Sequence, residues 1–227
     1  MKHRGLLYLF GIDLLAELIA IQYGLSDLRL ATKPLLMILL VLFVLLQTYA
    51  DNKIRILLLL AICFSLSGDV FLLFEQSSSA NFMLGLVSFL VAHICYIWLF
   101  ARIKINRSPK RKWNPWIITA VLLYVFLLIY ILSPYLGALK IPVIVYASVL
   151  GGMLTMALHA FDFNGLPAGR WIIAGAALFV LSDSLLAFNK FYSPFEFADL
   201  GIMLSYALAQ LFIVTGVTKF MGSADKP

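Results

Sequence analysis

The sequence predicts an all-α fold: a polytopic membrane bundle of eight transmembrane helices in a single domain over residues 1–227. Three observations carry this. Hydrophobic residues make up 63% of the 227 and charged residues only 12%, whereas soluble domains run near half and a quarter. The apolar residues fall into eight runs, each close to the ~20 needed to cross a bilayer. The segments between the runs are short and polar.

The first span covers about 5–23. It follows Met-Lys-His-Arg, and no small-residue cleavage site follows it, so it reads as a span rather than a signal peptide. The second covers 34–50 and opens on the Lys33-Pro34 pair. DNK at 51–53 separates it from the third, 54–74, and QSSSA at 76–80 precedes the fourth, 82–101. The polar stretch NRSPKRKWNP at 106–115 leads into the fifth, 115–132. The sixth, 141–160, starts beside Pro142. FNGLPAG at 163–169 introduces the seventh, 170–188, and the eighth is 197–218. Short loops make consecutive helices antiparallel neighbours. The eight prolines are placed in loops or near span ends, so the sequence gives no sign of the broken helices common in transporters.

Charge sets the expected orientation. The net charge is +6, and much of it lies between spans four and five, which points to membrane topology rather than nucleic acid. With a cytoplasmic N-terminus, 13 Lys and Arg fall inside and 4 outside. Both termini are therefore expected in the cytoplasm, and the chain in the inner cell membrane among its lipids. Cys63 and Cys95 fall within spans and read as small hydrophobes.

A weak internal similarity accompanies the spans. Leu66-Ser67-Gly68-Asp69 resembles Leu181-Ser182-Asp183, Gly85–Phe89 parallels Gly201–Tyr206, and Lys33-Pro34 parallels Lys140-Ile141-Pro142. The offset of four spans suggests a parallel 4+4 repeat. Chance likeness between leucine-rich helices competes with that reading.

Ionisable groups inside a membrane are costly and mark functional sites by default. At about 1.5 Å per residue, Asp69 and Asp183 lie at similar depth in the outer half. Glu17 and Tyr146 fall near the same level, Tyr206 slightly deeper, and His93 and Gln210 nearer the middle. Phe89, His93 and Tyr96 share one helical stripe with Gly85, while Asp13 and Glu17 are four apart on span one. Each residue also has a plain reading: an aspartate bonded to a neighbouring serine, a satisfied core histidine, or tyrosines and a glutamine joining helices. Two aspartates in matched contexts favour a shared cavity. His159 and Asp162 read as ordinary interfacial residues. Lys33, Lys190 and Arg29 are expected at the outer ends, where they could meet a phosphate, or simply snorkel. There is no HxxxH or Cys–His cluster, no GxSxG and no P-loop. A zinc site, a serine lipase or a nucleotide enzyme is therefore unsupported, and neither metal nor cofactor is expected.

Taken in order, Lys33-Pro34, SLSGD at 65–69, FMLGLVSFLVAHICY at 82–96, Tyr146, GAALFVLSD at 175–183, and Tyr206 with Ala209-Gln210 resemble the YhhN-like lysoplasmalogenase family. The likeness runs from about residue 30 to 216 and leaves span one without a match. It implies an integral membrane hydrolase acting on the vinyl ether of a lysophospholipid, lysoplasmalogen. The implied products are a fatty aldehyde and glycerophospho-ethanolamine or -choline. It also implies Asp69 and Asp183 as catalytic, with Lys33, His93, Tyr96, Tyr146, Tyr206 and Gln210, which lie in the matching stretches, as candidates to bind substrate or support them; Glu17, on the unmatched first span, is a supporting candidate from its depth alone. The chemistry suits carboxyls. A vinyl ether is cleaved by acid through an oxocarbenium ion, and paired carboxyl groups solve a related problem in glycosidases. An apolar surround favours a protonated carboxyl, and two neighbouring carboxyls tend to split their protonation. The alternative is a proton-coupled transporter or binder of small lipids, with the same aspartates as a proton relay.

Overall fold

A computed structural model describes residues 4–49, 51–75, 78–107, 112–161 and 167–222. Among the described residues the regular structure is entirely helical. In chain order the helices are α1 (Gly5–Gln22), α2 (Ser26–Leu45), α3 (Asn52–Leu73), α4 (Ser79–Arg107), α5 (Pro115–Leu132), α6 (Lys140–Ala160), α7 (Pro167–Ala187) and α8 (Ala198–Gly222). Each is long and apolar enough to cross a membrane, which makes the chain a polytopic membrane bundle. A π-helical turn, Phe188–Tyr192, prolongs α7, and two short 3₁₀ turns bridge α5 and α6.

Seven spans agree with the sequence reading to within a few residues at most boundaries; α4 runs on to Arg107. The second differs. Helix α2 begins at Ser26, eight residues before the expected start, and Pro34 lies inside it. The first turns carry Asp27, Arg29 and Lys33, so the apolar run begins only after helix formation has. Pro34 has no N–H for the carbonyl four residues earlier. Lys33 is therefore not an outer-end residue; it sits two turns into a helix.

The helix faces follow the solvent. On α1, Tyr8, Ile12, Leu15 and Ile19 point outward, while Phe10, Asp13, Leu14, Glu17 and Ala20 are buried. Outward apolar surface is what lipid covers, and the inward stripe carries both carboxyls. Helix α5 is peripheral, with Val121, Leu128 and Leu132 as its buried residues. The broadest packing joins α7 to α8 and α3 to α4. Small residues permit it, as in membrane helix pairs generally. A methyl at Gly175 would lie 2.8 Å from the Ala209 carbonyl oxygen, and one at Gly216 would lie 2.6 Å from Ile172 Cγ1. Helix α4 packs on α6 rather than on α5, its neighbour in sequence; the simple neighbour rule fails there.

Tyr49 and Thr218 share a hydrogen bond of 2.7 Å, and Arg4 and Lys219 line one groove. The described chain ends thus lie at the same end of the bundle. Asp51 caps α3 there. It accepts from Lys53 N–H at 2.9 Å and from Arg102 Nε at 2.7 Å. Partial desolvation opposes its ionisation, but those bonds prevail and hold the carboxyl below its ordinary value. His159 is buried rather than interfacial. Its Nε2 accepts from Asn114 N–H at 2.9 Å, its Nδ1 faces the Thr155 carbonyl at 2.7 Å, and Trp113 lies over the ring. Asp162 and the charged segments 1–3, 108–111 and 223–227 lie outside the described residues.

Candidate active site

Asp69 and Asp183 each lie four residues before the end of their helix, α3 and α7, at the end of the bundle opposite the termini. At 1.5 Å per residue that is about 6 Å along the helix axis. Asp69 is 1% exposed and the Asp183 side chain 11%. Charge so placed needs partners, and each carboxyl has a phenol. Tyr206 on α8 donates to Asp69 Oδ2 at 2.6 Å, and Tyr146 on α6 donates to Asp183 Oδ2 at 2.6 Å. Lys33 Nζ on α2 lies 3.8 Å from Asp69 Oδ1. His93 Nε2 on α4 lies 3.7 Å from Asp183 Oδ2, beyond hydrogen-bond reach.

The arrangement has a pattern. Each aspartate is met by one residue of the helix before its own, Lys33 from α2 or Tyr146 from α6. Each is also met from the more distant half of the chain, by Tyr206 of α8 or His93 of α4. The two cradles match in position and differ in chemistry, because a cation stands on one side only.

Both aspartates line one cavity of about 200 Å³, together with Lys33, Phe89, Ser182 and Tyr206. Arg29, Glu75 and Asp199 complete its polar rim. Close backbone packing shapes it: a methyl at Gly68 would lie 2.5 Å from the Phe89 ring, so the ring can lie flush against α3 beside Asp69. Phe89 meets Tyr206 and Phe179 edge to face, with centroids 5.7 and 6.5 Å away.

The other expected residues take supporting positions. Tyr96 donates to Gln210 Oε1 at 2.5 Å, and Gln210 Nε2 donates to Ser65 at 2.8 Å. This fully buried brace joins α4, α8 and α3, and neither Tyr96 nor Gln210 lines the cavity. His93 is also fully buried, against Phe179 and Tyr146. Glu17 accepts from Arg29 Nε at 3.1 Å and from Thr32 at 2.6 Å, so it steadies the helix that presents Lys33. Asp13 Oδ2 is buried with no hydrogen-bond partner. Among the described residues no three His, Cys, Asp or Glu side chains gather as a metal-ligand set. Arg29 and Lys33 are four apart on α2 and share a face. That signal was present in the sequence but hidden by the late start assigned to the span.

A membrane helix bundle with one buried and one partly buried carboxyl lining one cavity defines a class: a polytopic membrane protein with a paired-aspartate site. The family model described as the YhhN family matches residues 28–217, and the chain belongs to that family. It is 32% identical over 158 residues to "Lysoplasmalogenase" of Mycobacterium bovis, covering 69% of this chain and 58% of that protein. It is 33% identical over 138 residues to "Lysoplasmalogenase TMEM86B" of Homo sapiens, covering 59% and 53%. With "Lysoplasmalogenase TMEM86A" of Bos taurus the identity is 32% over 155 residues, covering 66% and 60%. The chain thus spans less than two thirds of the length of these relatives. No solved structure matches it.

Proposed function

We propose that the chain is an intramembrane hydrolase that cleaves the vinyl ether bond of lysoplasmalogen, with Asp69 and Asp183 as its acid/base pair. The observation that carries this reading is the shared cavity, which both carboxyls line from different helices, Asp69 buried and Asp183 partly buried. The relatives' printed name, lysoplasmalogenase, supports the substrate. One carboxyl gives a proton to the alkene carbon, which leaves an oxocarbenium ion. The other accepts a proton from the water that adds to it. The hemiacetal then collapses to a fatty aldehyde and glycerophospho-ethanolamine or -choline. General acid–base help of this kind is worth about 10²–10⁴-fold. Arg29 and Lys33 stand where a headgroup phosphate would arrive, and Tyr146 and Tyr206 fix the carboxyl orientations. The whole chain acts as one transmembrane unit in the cell membrane, with no cofactor.

A proton-relay transporter would need a path to the opposite face. Tyr96, Gln210 and Ser65, none of which lines the cavity, form a fully buried hydrogen-bonded brace across α4, α8 and α3. The test is purified protein in detergent with lysoplasmalogen, where no sealed compartment exists. Fatty aldehyde should appear, and Asp69→Asn and Asp183→Asn should each abolish it. Full activity in either variant would sink the mechanism.

A further inference from the structure

A second cavity, of about 50 Å³, adjoins the first. Leu86, Val143, Phe191 and Ala187 give it apolar walls, and Tyr146 and Asp183 stand at its inner end. It shares Leu72, Phe89, Leu186 and Asp183 with the larger cavity. Asp69 lines the larger cavity alone. Asp183 therefore stands at the junction of a polar chamber and an apolar slot. Phe82 and Phe191 border the slot edge to face, with ring centroids 5.9 Å apart. Lys190 Nζ lies 5.0 Å from the Phe82 ring and 3.2 Å from Glu75 Oε2, so a partly exposed ion pair stands beside one wall of the slot. The occupant such a slot suits is an unbranched hydrocarbon chain whose polar end lies in the adjoining chamber.

The reaction itself has a direction. In an alkenyl ether the proton must reach the alkene carbon on the chain side, and water must attack the carbon bonded to oxygen on the headgroup side. The two carboxyls are placed unequally along that same line, and the difference in their partners agrees with it. Lys33 pairs with Asp69, whereas among the described residues no Lys or Arg pairs with Asp183. We propose that the slot receives the first few carbons of the alkenyl chain beyond the double bond, that Asp183 protonates the chain-side alkene carbon, and that Asp69 activates the water that attacks the ether carbon. This rests on the hydrolase reading above and adds a chain subsite and a role for each aspartate.

The steps balance. Asp183 transfers its proton to the chain-side carbon, and the alkene electrons form that C–H bond, leaving the positive charge shared by the ether carbon and oxygen. The water oxygen bonds to the ether carbon, and its proton goes to Asp69. In the collapse the bond between that carbon and the glycerol oxygen breaks. The glycerol oxygen takes the proton from Asp69, and the hemiacetal hydroxyl returns a proton to Asp183. One water is consumed, and both aspartates regain their starting states.

Two measurements test the proposal. The first compares hexadecenyl with propenyl glycerophosphocholine, the latter ending one carbon past the double bond. Leu86→Trp and Val143→Trp fill the slot, so the ratio of kcat/KM, hexadecenyl over propenyl, should fall at least about tenfold, the low end of what a pocket discriminates. An unchanged ratio in both folded variants overturns the chain subsite. The second adds azide to Asp69→Ala and to Asp183→Ala, with the serine variants in reserve if either alanine variant fails to fold. Azide needs no base, so the Asp69 variant should form the azido ether at the ether carbon, read by mass spectrometry, and the Asp183 variant should form none. Adduct from the Asp183 variant, or from neither, overturns the division of roles. Wild-type protein that releases no aldehyde from either substrate would instead sink the hydrolase reading.

Discussion

Gly175→Ala tests whether the α7–α8 contact holds the site to sub-ångström tolerance. A methyl there would lie 2.8 Å from the Ala209 carbonyl oxygen, 2.8 Å from Ile213 Cγ1 and 2.9 Å from the Ile213 nitrogen. Two of those atoms are backbone, so no rotamer change relieves the clash. Ordinary contact begins near 3.4 Å, so α8 must retreat by about 0.6 Å, and overpacking of this kind costs about 1–3 kcal/mol. Alanine returns about 1 kcal/mol of helix propensity, leaving a net loss of about 0–2 kcal/mol. Gly201→Ala is the control. Its nearest atom is Leu185 Cδ1 at 3.6 Å, an ordinary contact, and it gains the same propensity. Propensity cancels between the two variants, so their difference should be about 1–3 kcal/mol, or about 2–12 °C in Tm for a chain of this size. Asp183 lies eight residues along α7 from Gly175, and Tyr206 three residues before Ala209. Because a 1 Å misplacement costs about 10²-fold, kcat in Gly175→Ala should fall by about tenfold. Thermal unfolding in detergent and an aldehyde assay read both quantities. Equal Tm and equal kcat in the two variants would refute the argument that this contact positions the site.

Two further outcomes follow from single bonds. Tyr206→Phe removes the donor 2.6 Å from Asp69, and Tyr146→Phe the donor 2.6 Å from Asp183; each should lower kcat about 10–100-fold, the worth of a hydrogen bond to a charged or strongly polar group, and wild-type turnover in either would remove that phenol from the site. Asp51→Asn keeps the α3 cap, since Asn caps as well as Asp, and deletes only the charge facing Arg102. The folded carboxyl titrates below its ordinary value, so its contribution is complete above about pH 3.9 and is lost as pH falls through the folded value. The Tm advantage of wild type over Asp51→Asn should therefore be largest near neutrality and shrink in acid, and an advantage independent of pH would contradict the ion pair with Arg102.

Most of the fold was legible because the bilayer acts as a solvent with one demand, and eight apolar runs answer it. The start of α2 was obscured by a chemical feature with a role. Asp27, Arg29 and Lys33 depress the hydropathy of its first turns, yet two of those residues face the cavity. Depth counting placed Asp69, Asp183 and Tyr146 near one level and Tyr206 slightly deeper, since rise per residue is fixed. It did not reveal which groups would meet. That Tyr206 reaches Asp69, while Tyr146 reaches Asp183, depends on how four helices are arranged around each other, and the packing of α4 on α6 over α5 shows how loosely sequence order governs that. The apolar slot was invisible for a different reason. Leu72, Leu86, Val143 and Phe191 carry no polar mark, and in a chain of this composition they look like any lipid-facing or core residue.

Under the proposed hydrolase reading, two aspartates divide between them what one would have to do in turn: give a proton to the alkene, then receive one from water. The two cradles differ at both positions: α2 offers the ammonium of Lys33 where α6 offers the phenol of Tyr146, and α8 offers the phenol of Tyr206 where α4 offers the imidazole of His93. Each cradle also borrows a residue from the other half of the chain, so the halves cannot separate without unmaking both. Under the proposed division of roles, Lys33 is the residue whose loss should tell the two carboxyls apart. Lys33→Met would leave both carboxyls without a cation and should slow water attack more than protonation, which azide rescue of the variant would report.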